Sequence, residues 1–426
     1  MKGKKQLFRI AICFLCLLFC LPKAFSQTVL KGHVFNEEAH KPLASVSVYL
    51  NNTSIGTITN DEGLFVLKNI PQGKFNLVVT SVGFETYTAL LDLRDLPKDF
   101  QIVLKPKADE LEGFSVLPTD PNGWEKYGKY FTLLMIGTTL NSNETKLMNP
   151  EAVKFRLNEG NVLTAFSKGP LRITNYALGY EIEYKLEEFE VNLNTAVVNY
   201  SGYAFYKDMG LKHPNRVRRY TDARFETYKG SLLHFMRSFY ANDLDAQGFE
   251  MRSLAMISNP EKERAKKMFK EYGNKPITYE ADATFGYERT TDGGMNHVRT
   301  TTHTVDSTGF FKKMLKQPDS LVSHQIVLSD SVGFAVDSTI AGFYFSDSLE
   351  VSYKWKMVPL RYRALSKKTK HETIPVSEFV FVNKTPVYIV RNGFYYKPYD
   401  LKVTGYWAWI ENVSTWLPYD YYPGKN

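Results

Sequence analysis

The chain has 426 residues, of which 43% are hydrophobic and 23% charged, and its formal net charge is +8. This length predicts two or three domains. The first 26 residues hold five of the 53 Lys and Arg residues and no acid, so the remainder carries 48 bases against 45 acids. That near balance argues against a nucleic-acid partner. Beyond the leader, no apolar run approaches the 18 residues that a membrane helix requires.

Residues 1–26 have the pattern of a secretory signal peptide. A basic start precedes the apolar run at 10–21, and Ala24 and Ser26 place small residues before a cut ahead of Gln27. The run is too short to span a bilayer as a mature helix. We therefore expect export to the periplasm, the outer membrane or the cell surface, with an uncleaved anchor as the alternative.

The three cysteines, Cys13, Cys16 and Cys20, all lie in this leader. After cleavage the chain would have no disulfide and no thiol nucleophile, and it would fold by core burial alone. Lipidation of Cys20 is an open alternative, although Leu18 and Phe19 precede it where small residues are usual.

Residues 27–105 contain short runs typical of strands, several of them alternating apolar and polar residues. Turn-forming residues such as those of 51–52, 61–63 and 71–73 separate the runs. Seven strands in fewer than 80 residues predict a β-sandwich. The predicted strands are Thr28–Asn36, Ala44–Asn51, Ile55–Thr59, Leu64–Lys68, Lys74–Thr80, Thr86–Leu93 and Gln101–Leu104.

The stretch TNDEGLFVLKNIPQGKFNLVV at 59–79 raises the question of a metal site. A calcium loop of the helix–loop–helix type needs oxygens at alternate positions and a late bidentate Glu, whereas Asn60, Asp61 and Glu62 are consecutive. A turn explains the stretch better, because Asn60 and Asp61 tolerate turn conformations and Gly63 supplies a positive φ. We expect the following Phe65 and Leu67 to enter the core.

The segment GHVFNEEAHKPLASVSVYLNNTSIGTITNDEGLFVLKNIPQGKFNLVVTSVGFET resembles a carboxypeptidase-regulatory-like domain. The signature residues are Gly32, Pro42–Val48, Gly56-Thr57, Asn60–Phe65, Ile70–Gly73 and Gly83-Phe84. The resemblance implies a prealbumin-like β-sandwich and a place in the Gram-negative envelope, where such modules also precede outer-membrane receptors. It implies no activity.

A zinc carboxypeptidase would need a His followed three residues later by Glu, together with a distant His. None of the eight histidines has a Glu at that spacing, and His303 with Asp306 comes nearest. We therefore expect no metal, no cofactor and no peptidase site.

Residues 106–120 read as a linker, and residues 121–426 as a larger β-rich α+β domain with a helical insertion near 222–272. The stretch GYEIEYKLEEFEV places Tyr180, Ile182, Tyr184 and Leu186 on one strand face and acids on the other. Further predicted strands are Val153–Phe155, Val162–Phe166, Leu171–Thr174, Glu181–Phe189 and Ala196–Phe205, with more from Ile277 to the end, including HVRTTTHTVDSTGFF and residues 330–355.

The helical insertion is predicted as two helices. In ARFETYKGSLLHFMRSFYANDL, apolar residues recur at helical spacing, with Gly230 inside the helix and His234 beside the stripe as a hydrogen-bonded packing residue. In SNPEKERAKKMFKEY, Ser258 or Asn259 caps a helix whose first turn holds Pro260.

The densest aromatic cluster lies near the C-terminus, with 12 aromatic residues between Tyr388 and Tyr422. In a strand, Trp407 and Trp409 would face the same side, and with Trp416 they form a candidate surface for stacking sugar rings. The alternative, which we favour, is that they cover a core or a domain interface. Exposure of the rings would decide between the two.

The expected fold is therefore mainly β with a few helices: a seven-stranded prealbumin-like sandwich and a larger β-rich region. The second region resembles segments that follow the same module in secreted proteins of uncharacterised function, through PNRVRRY, YKGSLLHFMRSFY, ALGYEIEY and GYWAWIENVSTWLPYDYYP. No activity follows from this resemblance.

The leading functional hypothesis is a non-enzymatic exported envelope protein that binds a protein partner or a glycan. One alternative is a hydrolase whose carboxylates meet only in the fold. The candidate acids are Glu181, Glu183, Glu187, Glu188 and Glu190, which fit a solvated strand face better. Another alternative is an outer-membrane β-barrel, against which the interrupting helices and the ending PGKN argue.

Overall fold

The structure is a computed structural model that describes residues 28–71, 73–92, 99–107, 119–272, 307–365, 373–396 and 398–424. The expected signal peptide, most of the expected linker and the expected strands between 277 and 306 lie outside these residues. Within them the protein is mainly β with several helices, as the sequence predicts.

The N-terminal sandwich, residues 28–104, consists of two facing sheets. Their orders are β4-β1-β7 and β3-β2-β5-β6, with β1 and β7 parallel and the other pairs antiparallel. The seven strands are β1 Thr28–Asn36, β2 Ser47–Leu50, β3 Gly56–Ile58, β4 Leu64–Ile70, β5 Lys74–Thr80, β6 Tyr87–Asp92 and β7 Phe100–Leu104. The predicted sandwich is confirmed.

Alternation of side chains forms the sandwich core. Val48 and Leu50 of one strand and Leu77 and Val79 of its neighbour are fully buried between the sheets. Phe65 and Leu67, from the stretch that raised the metal question, are buried in the same core.

The loop before Phe65 is a turn. Gly63 has φ +71 and its N–H bonds the Asn60 carbonyl at 2.9 Å, while the Asn60 side chain accepts the N–H of Leu64 at 2.8 Å. The turn interpretation is confirmed, because these oxygens are used to close the backbone.

The C-terminal region, residues 119–424, begins with a six-stranded antiparallel sheet. Its order is β8-β11-β12-β10-β9, and β13 pairs with the long strand β12 along its whole length, on the edge opposite β11 and β10. The strands are β8 Thr145–Leu147, β9 Val153–Leu157, β10 Val162–Ser167, β11 Leu171–Asn175, β12 Tyr180–Asn192 and β13 Val197–Asp208. The alternating face predicted for β12 is confirmed: Tyr180, Ile182, Tyr184 and Leu186 are all buried.

A helix that the sequence analysis missed covers this sheet. Helix α1, Gly123–Ile136, places Phe131 and Met135 against Phe155 and Phe189 of the sheet. Its apolar stripe includes Trp124 and Tyr127, and these aromatic residues concealed the helical spacing because they also suit strands.

The remaining strands form two further sheets, of orders β15-β14-β18-β19-β21 and β16-β17-β20. These strands are β14 Phe249–Ser258, β15 Ser320–Val327, β16 Gly333–Asp337, β17 Ile340–Phe343, β18 Ser348–Tyr353, β19 Val376–Phe381, β20 Val387–Val390 and β21 Leu401–Gly405. The helices after α1 are α2 Val217–Tyr228, α3 Leu232–Tyr240, α4 Pro260–Tyr272, α5 Ser307–Leu315, α6 Ser329–Val332, α7 Leu360–Leu365 and α8 Tyr406–Ile410.

The helical insertion near 222–272 differs from the prediction in two ways. Gly230 does not lie inside a helix but between α2 and α3, with φ +73, and strand β14 separates α3 from α4. The predicted start of α4 is confirmed, since the Asn259 side chain accepts the N–H of Lys262 at 3.2 Å. The strand expected through 307–311 is wrong, because these residues belong to α5.

Helix α3 is the centre of the second core. Phe235, Met236 and Phe239 are buried against Phe249 of β14 and Phe343 of β17. Among the described residues, no helix has both the length and the apolar character to cross a membrane.

Gly230 permits the sharp turn between α2 and α3, so Gly230→Ala should destabilise the protein. A Cβ there would lie 2.5 Å from the ring of Tyr353, and the positive φ adds strain. We expect a loss of about 2–4 kcal/mol in the free energy of unfolding, measured by urea denaturation. Gly169→Ala, where nothing lies within 4 Å, is the matched control and should change little. Equal stabilities for the two variants would contradict this account.

Candidate functional site

The turn between β2 and β3 of the sandwich connects it to the C-terminal region through backbone hydrogen bonds. The Asn52 N–H donates to the Ala204 carbonyl at 2.8 Å, and the Tyr206 N–H donates to the Thr53 carbonyl at 3.0 Å. The Asn51 side chain accepts the N–H of Ala204 at 3.0 Å. Thr53 of the turn thus forms an isolated parallel bridge with Phe205 of β13. This bridge fixes one region to the other.

The last described residues of the chain close the same junction. The Tyr419 N–H donates to the Asn52 carbonyl at 2.6 Å. The two carboxylate oxygens of Asp420 accept the N–H of Ser54 at 3.0 and 3.1 Å, and one also accepts the Ser54 hydroxyl. Burial raises the pKa of Asp420, and the hydrogen bonds from Ser54 oppose part of that rise.

A buried arginine holds this C-terminal segment in place. Arg237 of α3 donates from Nε to the Asn392 carbonyl at 2.9 Å, from Nη1 to the Tyr421 carbonyl at 2.8 Å and from Nη2 to the Tyr419 carbonyl at 3.0 Å. The Tyr422 ring lies 4.2 Å from the guanidinium carbon. All three guanidinium nitrogens thus have acceptors, and the chain path around Asp420 is fixed.

A cavity of about 300 Å³ lies beside Asp420, between the two regions. Arg224 forms part of its wall: its guanidinium pairs with Asp208 at 2.7 Å and donates to the carbonyls of Leu178 and Gly179. The same guanidinium lies 3.9 Å from the centre of the Tyr180 ring. The lining residues that combine rings, hydroxyls and charges are Ser54, Tyr180, Asp208, Tyr220, Thr221, Arg224, Asp420, Tyr421 and Tyr422.

Tyr220 gives the cavity an unused polar group. Its side chain is buried, and its hydroxyl has no hydrogen-bond partner among the residues that the structure describes. A buried hydroxyl without a partner is costly, and a functional role or an additional bound group is among its explanations.

A wider groove of about 690 Å³ adjoins the cavity on the sandwich side. It shares Ser54, Asp420 and Tyr422 with the cavity and continues past Thr57 and Lys68. Asp420 therefore lies at the boundary between two adjoining depressions, one enclosed by both regions and one lying along the sandwich.

The three C-terminal tryptophans pack against other segments, which agrees with the favoured alternative that they cover a core or a domain interface. Trp407 and Trp409 lie in helix α8, so the strand placement is wrong. Trp407 is 2% exposed and its indole N–H donates to the Gly230 carbonyl, while that of Trp409 donates to Thr138. Trp416 is half-buried, with its ring stacked on Tyr200.

The acids of β12 lie on a solvated strand face. Glu181 pairs with Lys212 at 2.7 Å and Glu183 pairs with Lys207, both at the surface. The other acids of the strand, Glu187, Glu188 and Glu190, are exposed. No group of three or more metal-ligating side chains occurs among the residues that the structure describes.

His234 is a buried packing residue, as the sequence analysis favoured. Its Nδ1 accepts the Gly230 N–H at 3.2 Å, which leaves Nε2 as the donor to the Gln247 side chain, also at 3.2 Å. Burial lowers the pKa of His234 to about 4, so the ring is neutral at physiological pH.

Sequence reasoning did not find Asp420, Ser54 or Arg224. No spacing connects them, since Ser54 and Asp420 are 366 residues apart. One signal was present: Arg237 interrupts the apolar stripe of its helix, and a charge on a buried face indicates a specific partner.

Comparison with known families identifies the N-terminal part of the chain. Residues 30–116 match the CarboxypepD_reg-like domain family. This segment is a CarboxypepD_reg-like domain. The resemblance noted in the sequence is confirmed, and the CarboxypepD_reg-like domain supplies the Ser54 wall of the cavity. No curated protein is similar enough to the chain to count as a match.

Solved structures resemble the chain only distantly. A type II cohesin–X-dockerin complex from Acetivibrio cellulolyticus, an N-terminal interface mutant, has 15% identity, a TM-score of 0.18, and coverage of 24% of this chain and 72% of that one. A C-terminal interface mutant of that complex has 17% identity and a TM-score of 0.15, and the match covers 18% of this chain and 56% of that one. The Bacillus anthracis TIE protein has 15% identity and a TM-score of 0.15, and the match covers 43% of this chain and 31% of that one. The matches to the latter two span less than two thirds of those chains, and such low TM-scores carry no functional argument.

Replacing the buried guanidinium tests the junction. Arg237→Met should lower the free energy of unfolding by about 2–4 kcal/mol, because three backbone carbonyls lose charge-assisted donors. Arg218→Met on the exposed side of α2 is the matched control and should stay within about 0.5 kcal/mol of wild type. Chemical denaturation measures both variants, and a neutral Arg237→Met would refute the structural role.

Glu411 should make stability fall as pH rises. Its carboxylate accepts the Leu232 N–H at 2.9 Å at the start of α3, and burial raises its pKa from 4.5 to about 7. Because the folded protein binds the proton more tightly than the unfolded chain, the destabilisation develops between pH 4.5 and 7 and is complete above 7.

Glu411→Gln removes this titration while keeping an oxygen acceptor. We expect the variant to match wild type near pH 4.5 and to be more stable by roughly 1–3 kcal/mol at pH 8. Unfolding curves at a series of pH values provide the comparison. A difference between the two proteins that does not change with pH would contradict the raised pKa.

Proposed function

We propose that this protein is an exported, non-enzymatic binding protein of the cell envelope and that it binds a short glycan in the cavity between its two regions. The leader pattern of residues 1–26 supports export. The observation that carries the binding proposal is the lining of the 300 Å³ cavity, which combines tyrosine rings with hydroxyl, carboxylate and guanidinium groups.

This lining suits a sugar. A pyranose presents apolar faces that pack against aromatic rings and a rim of hydroxyls that needs fixed donors and acceptors. Tyr421 and Tyr422 provide rings, and Asp208, Asp420 and Thr221 provide oxygens. The volume lies at the lower end of the range for small-molecule sites, which favours one or two sugar units.

The charged groups at the cavity are already held by protein partners, which favours recognition over chemistry. Asp208 pairs with Arg224, and Asp420 is bound by Ser54. Preorganised polar groups of this kind orient a ligand without the entropy cost of ordering them on binding.

A hydrolase is the second candidate, because Asp208 and Asp420 line the same cavity. Their surroundings differ: Arg224 neutralises Asp208, whereas burial raises the pKa of Asp420. Two carboxyls in unlike environments are the arrangement from which glycosidases obtain a base and an acid. Release of reducing ends from a bound glycan, abolished by Asp420→Asn, would establish this candidate.

Two substitutions to phenylalanine separate the cavity from the adjoining groove. Thr221→Phe fills the cavity and Thr57→Phe fills the groove, and both start from half-buried threonines. We expect residues 27–426 to bind a member of an envelope-glycan array and expect Thr221→Phe alone to weaken that binding at least tenfold by calorimetry.

Loss of binding in Thr57→Phe alone would place the glycan in the adjoining groove and would reject the cavity as its site. Absence of binding to any glycan by the wild-type protein would reject the glycan proposal.

A further inference from the structure

A second surface, remote in sequence from the cavity lining, exposes large apolar side chains. Trp355 is 60% exposed, Met357 70%, Leu360 81% and Leu365 59%. We call these four residues the apolar patch. They follow strand β18 and run into helix α7, so they occupy one continuous turn and short helix. A cluster of this kind marks an interaction surface, whereas single exposed apolar residues do not.

The apolar patch is supported by inward-facing neighbours. Val358, which directly follows the exposed Met357, is buried. Tyr362 of α7 packs on Tyr406 at 5.3 Å and on Trp409 at 5.2 Å between ring centres. The alternate residues of the segment therefore anchor it to the second core, and the patch side chains project outward from a fixed backbone.

A lysine fixes the other side of the turn. Lys356 Nζ donates to the carbonyls of Glu226 at 2.9 Å and of Lys229 at 3.2 Å, at the end of helix α2. Lysine at a helix C-terminus is favourable because those carbonyls carry partial negative charge. The turn that presents Trp355 and Met357 is thereby tied to α2.

The exposed apolar surface continues onto a neighbouring loop. Arg361 Nη1 lies 3.4 Å from the Thr139 carbonyl and 3.4 Å from the Asn143 side-chain oxygen. Leu140, in that loop, is 72% exposed. Arg361 thus connects the patch to a fifth exposed apolar side chain.

The charge around the patch is positive. From Lys354 to Leu365 the sequence has four bases and no acid. Lys354 is neutralised by Asp245 and Glu250, and Glu226 pairs with Lys229. Neither Arg361 nor Arg363 forms an ion pair within the described part of the chain, so two guanidinium charges flank the apolar side chains.

We propose that the apolar patch docks this protein on an anionic lipid surface. A tryptophan, a methionine and leucines that project from a short fixed segment can enter the headgroup–acyl boundary, where indole rings are favoured. Arg361, which is exposed beside these side chains, then lies near the level of the phosphates, where each base near an anionic membrane contributes about 1 kcal/mol. The charge complementarity selects an anionic lipid over a neutral one.

Vesicle binding by residues 27–426 tests the proposal, with Trp355 as the internal probe. All five tryptophans lie in the described residues, and only Trp355 is largely exposed. With vesicles of 30% phosphatidylglycerol in phosphatidylcholine, we expect co-sedimentation and a blue shift of tryptophan emission. Vesicles of phosphatidylcholine alone should bind on the order of tenfold more weakly.

Variants assign the binding to the patch. Met357→Ser with Leu360→Ser should weaken vesicle binding on the order of tenfold or more, since both side chains lose apolar contact with the lipid. Val82→Ser, at an 89% exposed position of the sandwich, is the matched control and should bind as wild type. Circular dichroism melts verify that all the variants fold.

Three outcomes would overturn the proposal. The first is absence of vesicle binding by the wild-type protein. The second is binding that the patch variants leave unchanged. The third is a change of oligomeric state in the patch variants without any lipid binding, which would assign the patch to a second copy of this chain. The experiment does not involve the cavity, so its failure leaves the glycan proposal untouched.

Discussion

The buried guanidinium of Arg237 is the constraint on which the junction of this protein depends. A buried charge is tolerated only when its hydrogen bonds are satisfied, and all three of its nitrogens bond backbone carbonyls. Two of those carbonyls belong to Tyr419 and Tyr421, so the residue between them, Asp420, has its position fixed. Asp420 in turn binds Ser54 of the sandwich, and the cavity forms beside that contact.

The CarboxypepD_reg-like domain consequently acts as a structural part of the site. Its turn at Asn51–Ser54 continues the edge of the six-stranded sheet and provides one wall of the cavity. A domain of this family implies only a fold, and here the fold supplies a turn in the right position. Both regions contribute lining residues, so the cavity exists only where the two meet.

The tryptophans differ in how much of each side chain is exposed. Trp407 and Trp409 use their indole N–H groups to bond other segments and fill the space under helix α8. Trp355 has 60% of its surface exposed on a segment held by its neighbours. Aromatic density in the sequence singled out the first pair but did not decide their role, because counting residues does not distinguish a ring that fills a core from one that meets solvent.

The sequence by itself determined the sandwich, the buried face of β12 and the turn at Asn60–Gly63, because strand alternation and turn chemistry act over a few residues. It did not determine helix α1 or the break at Gly230, where aromatic residues suit either structure and a packing contact with Tyr353 decides the path. The candidate site could not be predicted from the sequence at all. Ser54, Arg237 and Asp420 are brought together only by the packing of two regions, and hydrogen bonds between residues hundreds of positions apart leave no local pattern to read.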